Sequence, residues 1–398
     1  MNPDLHKLFP YPFERLAKLK EGITPPQHLQ HIPMSIGEPK HAPPEFVLQA
    51  LRDHLDSLGV YPMAKGLAEL RQAIARWLIR RFQLSPGRVD PERQVIPVSG
   101  TREGLFAFAQ AVIDRSTEPL VLMPNPFYQI YEGATFLAGA EPYFMDTLEE
   151  NDFLPDLEAV PVAIWKRCQL LYICTPGNPT GAVMDTGYLK RVVELADRYD
   201  FIVASDECYA EIYLDEARPP ASLLQACEEM GRHDFRRCVV FHSLSKRSNL
   251  PGLRSGFIAG DAKILAQFLF YRTYHGCAVP VPVQMASIRA WDDDRHVLDN
   301  RRLYQDKFTT AMEILAPVLE VKLPPAAFYL WPRTPIDDER FAQELFARQN
   351  VTVLPGSYLS RRSPQGDPGK GRVRISLVAP VQECTEAVRR IHACVESL

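Results

Sequence analysis

Between residues 94 and 260 the chain repeats one pattern seven times. Short apolar runs, "QVIPVSG", "PLVLMPN", "EPYFM", "QLLYICTP", "FIVASDE", "CVVFHSLS" and "RSGFIAG", recur, and most give way at once to small or polar residues. The runs are rich in β-branched residues and apolar on successive positions, as in strands covered on both faces. Helical patterns lie between several of them. "REGLFAFAQAVI" follows Ser99 and Thr101, which are suited to cap its N-terminus, and "TGYLKRVVELADRY" carries apolar residues at i, i+3 and i+4 spacing. Strands alternating with helices predict an α/β fold whose central sheet is mostly parallel and flanked by helices.

The pattern changes outside this stretch. Upstream, "AKGLAELRQAIARWLIRRF" places Leu67, Leu70, Ile74, Trp77 and Leu78 on one helical face. Downstream, "DRHVLDNRRLYQDKFTTAMEIL" reads as a long polar-studded helix, followed by shorter strand-like runs "LEVKLP", "AAFYLWPR", "VTVLPG" and "RVRISL". A chain of 398 residues exceeds the usual size of one core. The expected division is a large domain over 46–290 and a small α+β domain over 291–398, joined by the N-terminal segment 1–45. The Gly/Pro-rich "RRSPQGDPGKG" at 361–371 reads as a surface loop.

A formal net charge of −4 argues against a nucleic-acid-binding face, and no run reaches the length of a membrane span. The N-terminus lacks the basic-then-apolar pattern of a secretory signal. The eight cysteines form no C-x-x-C pair, and several fall in strand-like runs, as reduced buried thiols do. A cytoplasmic enzyme is expected.

Ligands of open α/β sheets gather where strands end and helices begin. "SGTREG" offers Gly100 and Thr101 to an anion at a helix N-terminus. "TPGNPTG" presents Asn178, "SDECY" presents Asp206 and Tyr209, and "SLSK" presents Ser243, Ser245 and Lys246, with Arg254 eight residues on. Taken singly, each is a cap, a turn or a solvated charge. Together, an amine, a carboxylate, hydroxyls and an arginine are the parts that hold pyridoxal phosphate. The amine attaches the aldehyde, the carboxylate keeps the ring nitrogen protonated, and arginine with a helix N-terminus neutralises the phosphate.

In this order, "NPTG", "SDECY" and "SLSK…GLRSG" resemble the class I/II aminotransferases of the aspartate aminotransferase superfamily, with the fold-type-I architecture of pyridoxal-phosphate enzymes. The resemblance runs from "SIGEP" at 35–39 to "RVRISL" at 372–377. It implies that Lys246 carries the cofactor and moves the substrate Cα proton, and that Asp206 pairs with the ring nitrogen. Tyr209 and Asn178 would contact the ring's phenolic oxygen, and Tyr128 of "NPFYQIY" would stack on the ring. Ser243, Arg254, Gly100 and Thr101, with Arg102 beside them, would surround the phosphate. Arg374 would clamp the substrate α-carboxylate with Asn178 and Gly37 beside it, although Arg372 is expected on the same strand face. Tyr61 in "VYPMAKG" would reach the phosphate of a neighbouring subunit, making a homodimer with shared sites.

The opening "MNPDLHKLFPYPFERL", the "SGTREGLFAFAQA" helix and "VTVLPGSYLSR" are most similar to bacterial N-succinyldiaminopimelate aminotransferases. That implies exchange of an amino group between N-succinyl-LL-2,6-diaminopimelate and 2-oxoglutarate, in lysine and diaminopimelate biosynthesis. Both are expected to need a basic or polar distal pocket, for which Arg102 and the Arg272–His275 stretch are candidates against the alternative of solvated surface charge. The alternatives are an aminotransferase of other specificity (aspartate, aromatic or acetyl-diaminopimelate), a carbon–sulfur β-lyase, or a non-catalytic pyridoxal-phosphate-binding regulator. "GDPGKGR" lacks the G-x-x-x-x-G-K-[ST] of a phosphate loop, and "WDDDRH" at 291–296 reads as a solvated helix start. No metal site is expected.

Overall fold

The computed structural model describes residues 1–398. Its strands are β1 (Ile32–Pro33), β2 (Val95–Val98), β3 (Leu120–Asn125), β4 (Glu141–Asp146), β5 (Cys168–Cys174), β6 (Ile202–Asp206), β7 (Cys238–Ser243), β8 (Gly256–Gly260), β9 (Tyr329–Leu330), β10 (Val351–Thr352), β11 (Leu354–Pro355) and β12 (Val373–Ser376). Seven of them form one sheet in the order β2-β8-β7-β6-β5-β3-β4. All its pairs are parallel except those of β8, which runs against both β2 and β7. The seven apolar runs are therefore seven strands of a mixed, mostly parallel sheet. β2, β3, β7 and β8 are buried along their whole length, whereas β4 is an edge strand and only partly covered.

Two apolar clusters cover the two faces of this sheet. The larger holds 43 buried residues, including Leu70, Ile74, Trp77 and Leu78 of the helix Ala68–Arg81. Burying side chains of this size contributes roughly 1.5–3 kcal/mol each. The other, of 21 residues, packs Leu105, Phe108 and Ala109 of the helix Thr101–Val112 against β2, β7 and β8.

A third cluster, also of 21 residues, draws on both chain ends. β1 pairs in parallel with β10, and the sheet β11-β12-β9 lies beside the 21-residue helix Arg295–Leu315 and the C-terminal helix Val381–Glu396. "LEVKLP" is not a strand: residues 319–324 form an irregular connection. Its alternation is real, but Glu320 and Lys322 face cations and an anion of neighbouring segments instead of a ladder partner, Glu320 bonding Arg333 and Lys322 bonding Glu149. The "WDDDRH" stretch is the solvated start of the helix Arg295–Leu315, with Asp292, Asp294 and Arg295 exposed, and its acids also meet cations. Asp292 pairs with Arg76, and Asp294 with both Arg80 and buried Arg247. No helix is long and apolar enough to cross a membrane.

Register explains why motifs far apart in sequence meet. Cys174 lies opposite Asp206, Asp206 opposite Phe241, Ser243 opposite Gly256, and Gly256 opposite Val98. The ends of β5 and β6 are level with each other, and the ends of β2 and β7 are level with the start of the reversed strand β8, two residues further on.

Candidate active site

A cavity of about 400 Å³ opens at those strand ends and is lined by 23 residues. Ser243, at the end of β7, caps the short helix Leu244–Arg247 by accepting from Ser245 N, and so sets Lys246 one turn into the cavity wall. Lys246 Nζ donates to Gly37 O. Desolvation lowers its pKa to about 8, helped by Arg374 and Arg254 and opposed by Cys208 and Glu38. A desolvated amine of this kind is available in its neutral form near physiological pH.

Asp206 ends β6 and is 5% exposed. It accepts hydrogen bonds from Tyr131 Oη at 2.7 Å and from Cys208 N at 3.3 Å. Desolvation raises its pKa, the hydrogen bonds only partly opposing. Tyr209 Oη lies 2.8 Å from Tyr329 Oη, and burial pushes the Tyr209 phenol well up. Tyr128 stands edge-on to Tyr131, with ring centroids 5.7 Å apart, and accepts from Arg102 Nε at 2.6 Å.

Arg254 follows the Pro251–Leu253 turn in the left-handed region, φ 54°, and donates to Pro251 O at 2.9 Å and Ser99 O at 3.3 Å. Its guanidinium lies against Gly100, where a Cβ would overlap it and where φ is +81°, so only glycine fits. Gly100 itself is the N-cap of the helix Thr101–Val112, without a side-chain cap. Ser99 and Thr101 are therefore not caps. Glu103 accepts from Ser99 N instead, and the Thr101 hydroxyl turns to Cys208 Sγ at 3.0 Å.

From the other side, β12 delivers Arg374, 5% exposed, which donates to Asn178 Oδ1 at 2.9 Å and Ser35 O at 2.7 Å over the Tyr329 ring. Its Nε has no partner. Arg372 does not share this cavity. It leaves the strand start for Glu149 Oε2 at 2.5 Å and Trp331 O, in a separate cleft. Gly37 lies so near the Tyr329 hydroxyl that a Cβ would overlap it.

Of the residues singled out in the sequence, Gly37, Thr101, Arg102, Tyr128, Asn178, Asp206, Tyr209, Ser243, Lys246, Arg254 and Arg374 all line the one cavity. Gly100 stands behind it, shaping Arg254. Tyr61 lies away from it, 98% exposed on a loop. None of the Arg272–His275 stretch lines the cavity; His275 is exposed, whereas Arg272 is no solvated charge. Arg272 is fully buried and bonded to Glu103 at 2.5 Å. Glu103, His275 and Cys277 come within 4.8 Å of one another, but the Arg272 cation already occupies Glu103. Tyr131, Tyr329, Tyr11 and Cys208 escaped the sequence reading. Tyr131 sat in the quoted "NPFYQIY", three residues past Tyr128 on the same helical face, whereas Tyr11 and Tyr329 carry no local signal.

The donor set fits pyridoxal phosphate on chemical grounds. Asp206 is a buried carboxylate whose donors are neutral, which suits a cationic ring nitrogen. Thr101, Ser243, Ser245 and Arg254 form a cluster of donors for a phosphate at the helix start. Lys246 supplies the amine between them.

Comparison with known proteins agrees with this geometry. Residues 30–391 match the family "Aminotransferase class I and II". LL-diaminopimelate aminotransferase of Nitratidesulfovibrio vulgaris strain Hildenborough is 34% identical over 97% of each chain. Among solved structures, an aminotransferase from Neisseria meningitidis superposes with a TM-score of 0.94 at 49% identity, covering 99% of both chains. A probable N-succinyldiaminopimelate aminotransferase from Thermus thermophilus superposes at 0.85 with 29% identity, covering 96% of this chain and all of that one. The chain belongs to the class I and II aminotransferases, enzymes of the fold-type-I group that depend on pyridoxal phosphate.

Proposed function

We propose that the enzyme transfers the amino group of N-succinyl-LL-2,6-diaminopimelate to 2-oxoglutarate, giving N-succinyl-2-amino-6-oxopimelate and glutamate, in the diaminopimelate route to lysine. The observation that carries this reading is the charge balance of the cavity. Three arginines line it, Arg102, Arg254 and Arg374, beside the Lys246 amine and against a single acid, Asp206. With Asp206 reserved for the ring nitrogen, Arg254 for phosphate and Arg374 for the α-carboxylate, the free cation is Arg102. It is held at the mouth by Tyr128 and by Tyr11 Oη at 3.0 Å. A distal carboxylate suits it, and a distal ammonium finds no acid. Acylation by a succinyl group removes that ammonium and adds a carboxylate.

Pyridoxal phosphate, when bound, supplies the electron sink that makes the substrate Cα proton removable. The chain does the rest. Arg374 and Asn178 fix the α-carboxylate, so that Cα faces Lys246. Lys246 Nζ, its pKa lowered to about 8 by burial, takes the Cα proton of the donor in its neutral form and in the second half-reaction delivers a proton to the Cα of the newly formed amino acid. Asp206, held by Tyr131, keeps the ring nitrogen protonated. Both substrates use one site in turn, which gives ping-pong kinetics.

LL-Diaminopimelate itself is the second reading, because curated relatives carry that name. Its distal ammonium would have to use Glu38, beside Gly37, which is half exposed and paired with Lys40. The test is a half-reaction on the loaded enzyme, following cofactor absorbance with N-succinyl-LL-diaminopimelate, LL-diaminopimelate, glutamate and aspartate. Fast conversion by the succinylated compound and glutamate supports the proposal. Conversion by LL-diaminopimelate in its place moves the assignment to the second reading.

Tyr61 sits in an exposed apolar stretch with Leu58, Val60 and Met63, each at least 63% exposed. That supports a homodimer in which Tyr61 reaches the partner's phosphate site. The division at 1–45, 46–290 and 291–398 and a cytoplasmic location belong to the same proposal.

A further inference from the structure

The segment Met34–His41 is tied at both ends. At one end Met34 N donates to Thr352 O, and Ser376 N donates to Met34 O. Its middle meets the active site: Ile36 and Gly37 line the cavity, Ser35 O receives Arg374, and Gly37 O receives Lys246. At the other end His41 makes two short contacts, Nε2 to Lys307 Nζ at 2.6 Å and Nδ1 to Asn300 Oδ1 at 2.6 Å.

Lys307 is 1% exposed and has no carboxylate partner. It donates to Leu377 O at 3.2 Å and Val378 O at 3.3 Å, and lies 4.8 Å from the Tyr304 ring centroid. Val378 O also accepts from Lys40 N. Asn300 Oδ1 accepts a further bond from Asn249 Nδ2 at 3.1 Å, three residues after Lys246. The cluster thus joins the N-terminal strap, the long helix Arg295–Leu315 and the loop that follows the catalytic lysine.

Donor counting fixes the imidazole. Burial lowers the Lys307 pKa to about 8, so below that pH it is an ammonium with donors and no acceptor; His41 Nε2 then accepts, and Nδ1–H donates to Asn300. The ring is therefore neutral, in the tautomer that free histidine disfavours. Desolvation and the Lys307 cation both lower its pKa, in agreement. The other titratable groups here, Tyr304 and Cys384, are pushed up by burial and stay neutral, so none offsets a second cation.

We propose that His41, bridged between Lys307 and Asn300, is a positioning residue that holds the Ser35–Lys40 strap in register with Arg374 and Lys246. Its role is hydrogen bonding, not bulk. The inference rests on the aminotransferase reaction and not on the identity of the substrate, so the test uses whichever amino donor turns over best.

Two substitutions separate the roles in the loaded enzyme. His41→Leu keeps volume and removes both bonds. His41→Gln keeps both, with Oε1 for Lys307 and Nε2–H for Asn300. His41→Leu should lower kcat/KM on the order of tenfold or more, mainly through KM, because the carboxylate clamp loses its register. His41→Gln should stay close to the parent enzyme. Independently of turnover, ¹⁵N-imidazole spectra, assigned with His41→Gln, should show His41 as neutral Nδ1–H, with that signature lost in Lys307→Met. A parent-like KM in His41→Leu, equal damage in both variants, or an Nε2–H tautomer would each overturn the proposal.

Discussion

Replacing Asp206 with asparagine should make the cofactor-free protein more stable while weakening its hold on pyridoxal phosphate. The carboxylate is 5% exposed and accepts only from Tyr131 Oη and Cys208 N. Burying an ion without a counter-charge costs several kcal/mol. Two hydrogen bonds to a charged acceptor return about 1.5–3 kcal/mol each at best, and protonation caps the remainder. The sign follows from linkage. The folded pKa is raised above its ordinary 3.8, so the unfolded chain ionises first as pH rises and binds fewer protons than the folded one. Stability therefore falls as pH climbs through that interval, and the full cost stands above it.

Asparagine keeps the shape, and its amide finds the Tyr131 hydroxyl as acceptor. A net gain of about 1–3 kcal/mol at pH 8 is expected for the cofactor-free variant. For a chain of this size that is about 1–5 °C in Tm, shrinking toward pH 4. Loading should reverse the ranking, because the ring cation that offsets the carboxylate meets only an amide. Affinity for the cofactor should drop on the order of 10²- to 10³-fold. Thermal unfolding with and without pyridoxal phosphate from pH 5 to 8.5 measures both. A cofactor-free variant less stable than its parent at pH 8 would refute the view that Asp206 is strained in waiting for a cation.

Gly37→Ala drives a methyl into the Tyr329 hydroxyl and through it into Tyr209, so KM for both substrates should rise about tenfold or more with little change in Tm. Arg102→Gln should raise KM for substrates with an anionic distal end about tenfold and leave alanine unaffected, read from half-reaction rates. Because burial holds Lys246 near 8, the rate at which cofactor-free enzyme takes up pyridoxal phosphate should climb with pH through about 8 and then level. A lowered folded lysine pKa also means that the folded state sheds its proton first, so the stability cost of Lys246 is relieved between about 8 and 10.5. A pH-independent uptake rate would count against the neutral amine.

The large sheet was open to reading because each buried strand is apolar on both faces and ends in a polar cluster. That signal is local and repeated. The reversed direction of β8 was not readable, since an apolar run looks alike in either direction. "LEVKLP" failed for the opposite reason: it alternates as a strand does, yet its charged residues find ion-pair partners off the sheet. The helix beginning at Thr101 was recognised, but not its cap, because Gly100 takes the position by its positive φ where hydroxyls stand on either side.

In the site, Lys246, Asp206, Asn178 and Arg254 were legible as a set at strand ends. Tyr131 and Tyr329 were not, because each matters through one contact made across the fold, at 2.7 Å to Asp206 and 2.8 Å to Tyr209. Arg272 was misjudged, since a charge buried against Glu103 and one in water look the same in a string of letters.

By itself the sequence determined the strand-and-helix alternation, and with it a sheet whose ends carry the amine, the carboxylate and the anion-binding groups. Periodicity and residue chemistry are properties of neighbouring residues. Only the tertiary structure decided the register that levels Cys174 with Asp206 and, two residues on, Val98 with Ser243, the sending of Arg374 to Asn178 but Arg372 to Glu149, and the seating of His41 on Lys307. Those depend on which surfaces are desolvated together, and desolvation is settled by the whole packed chain.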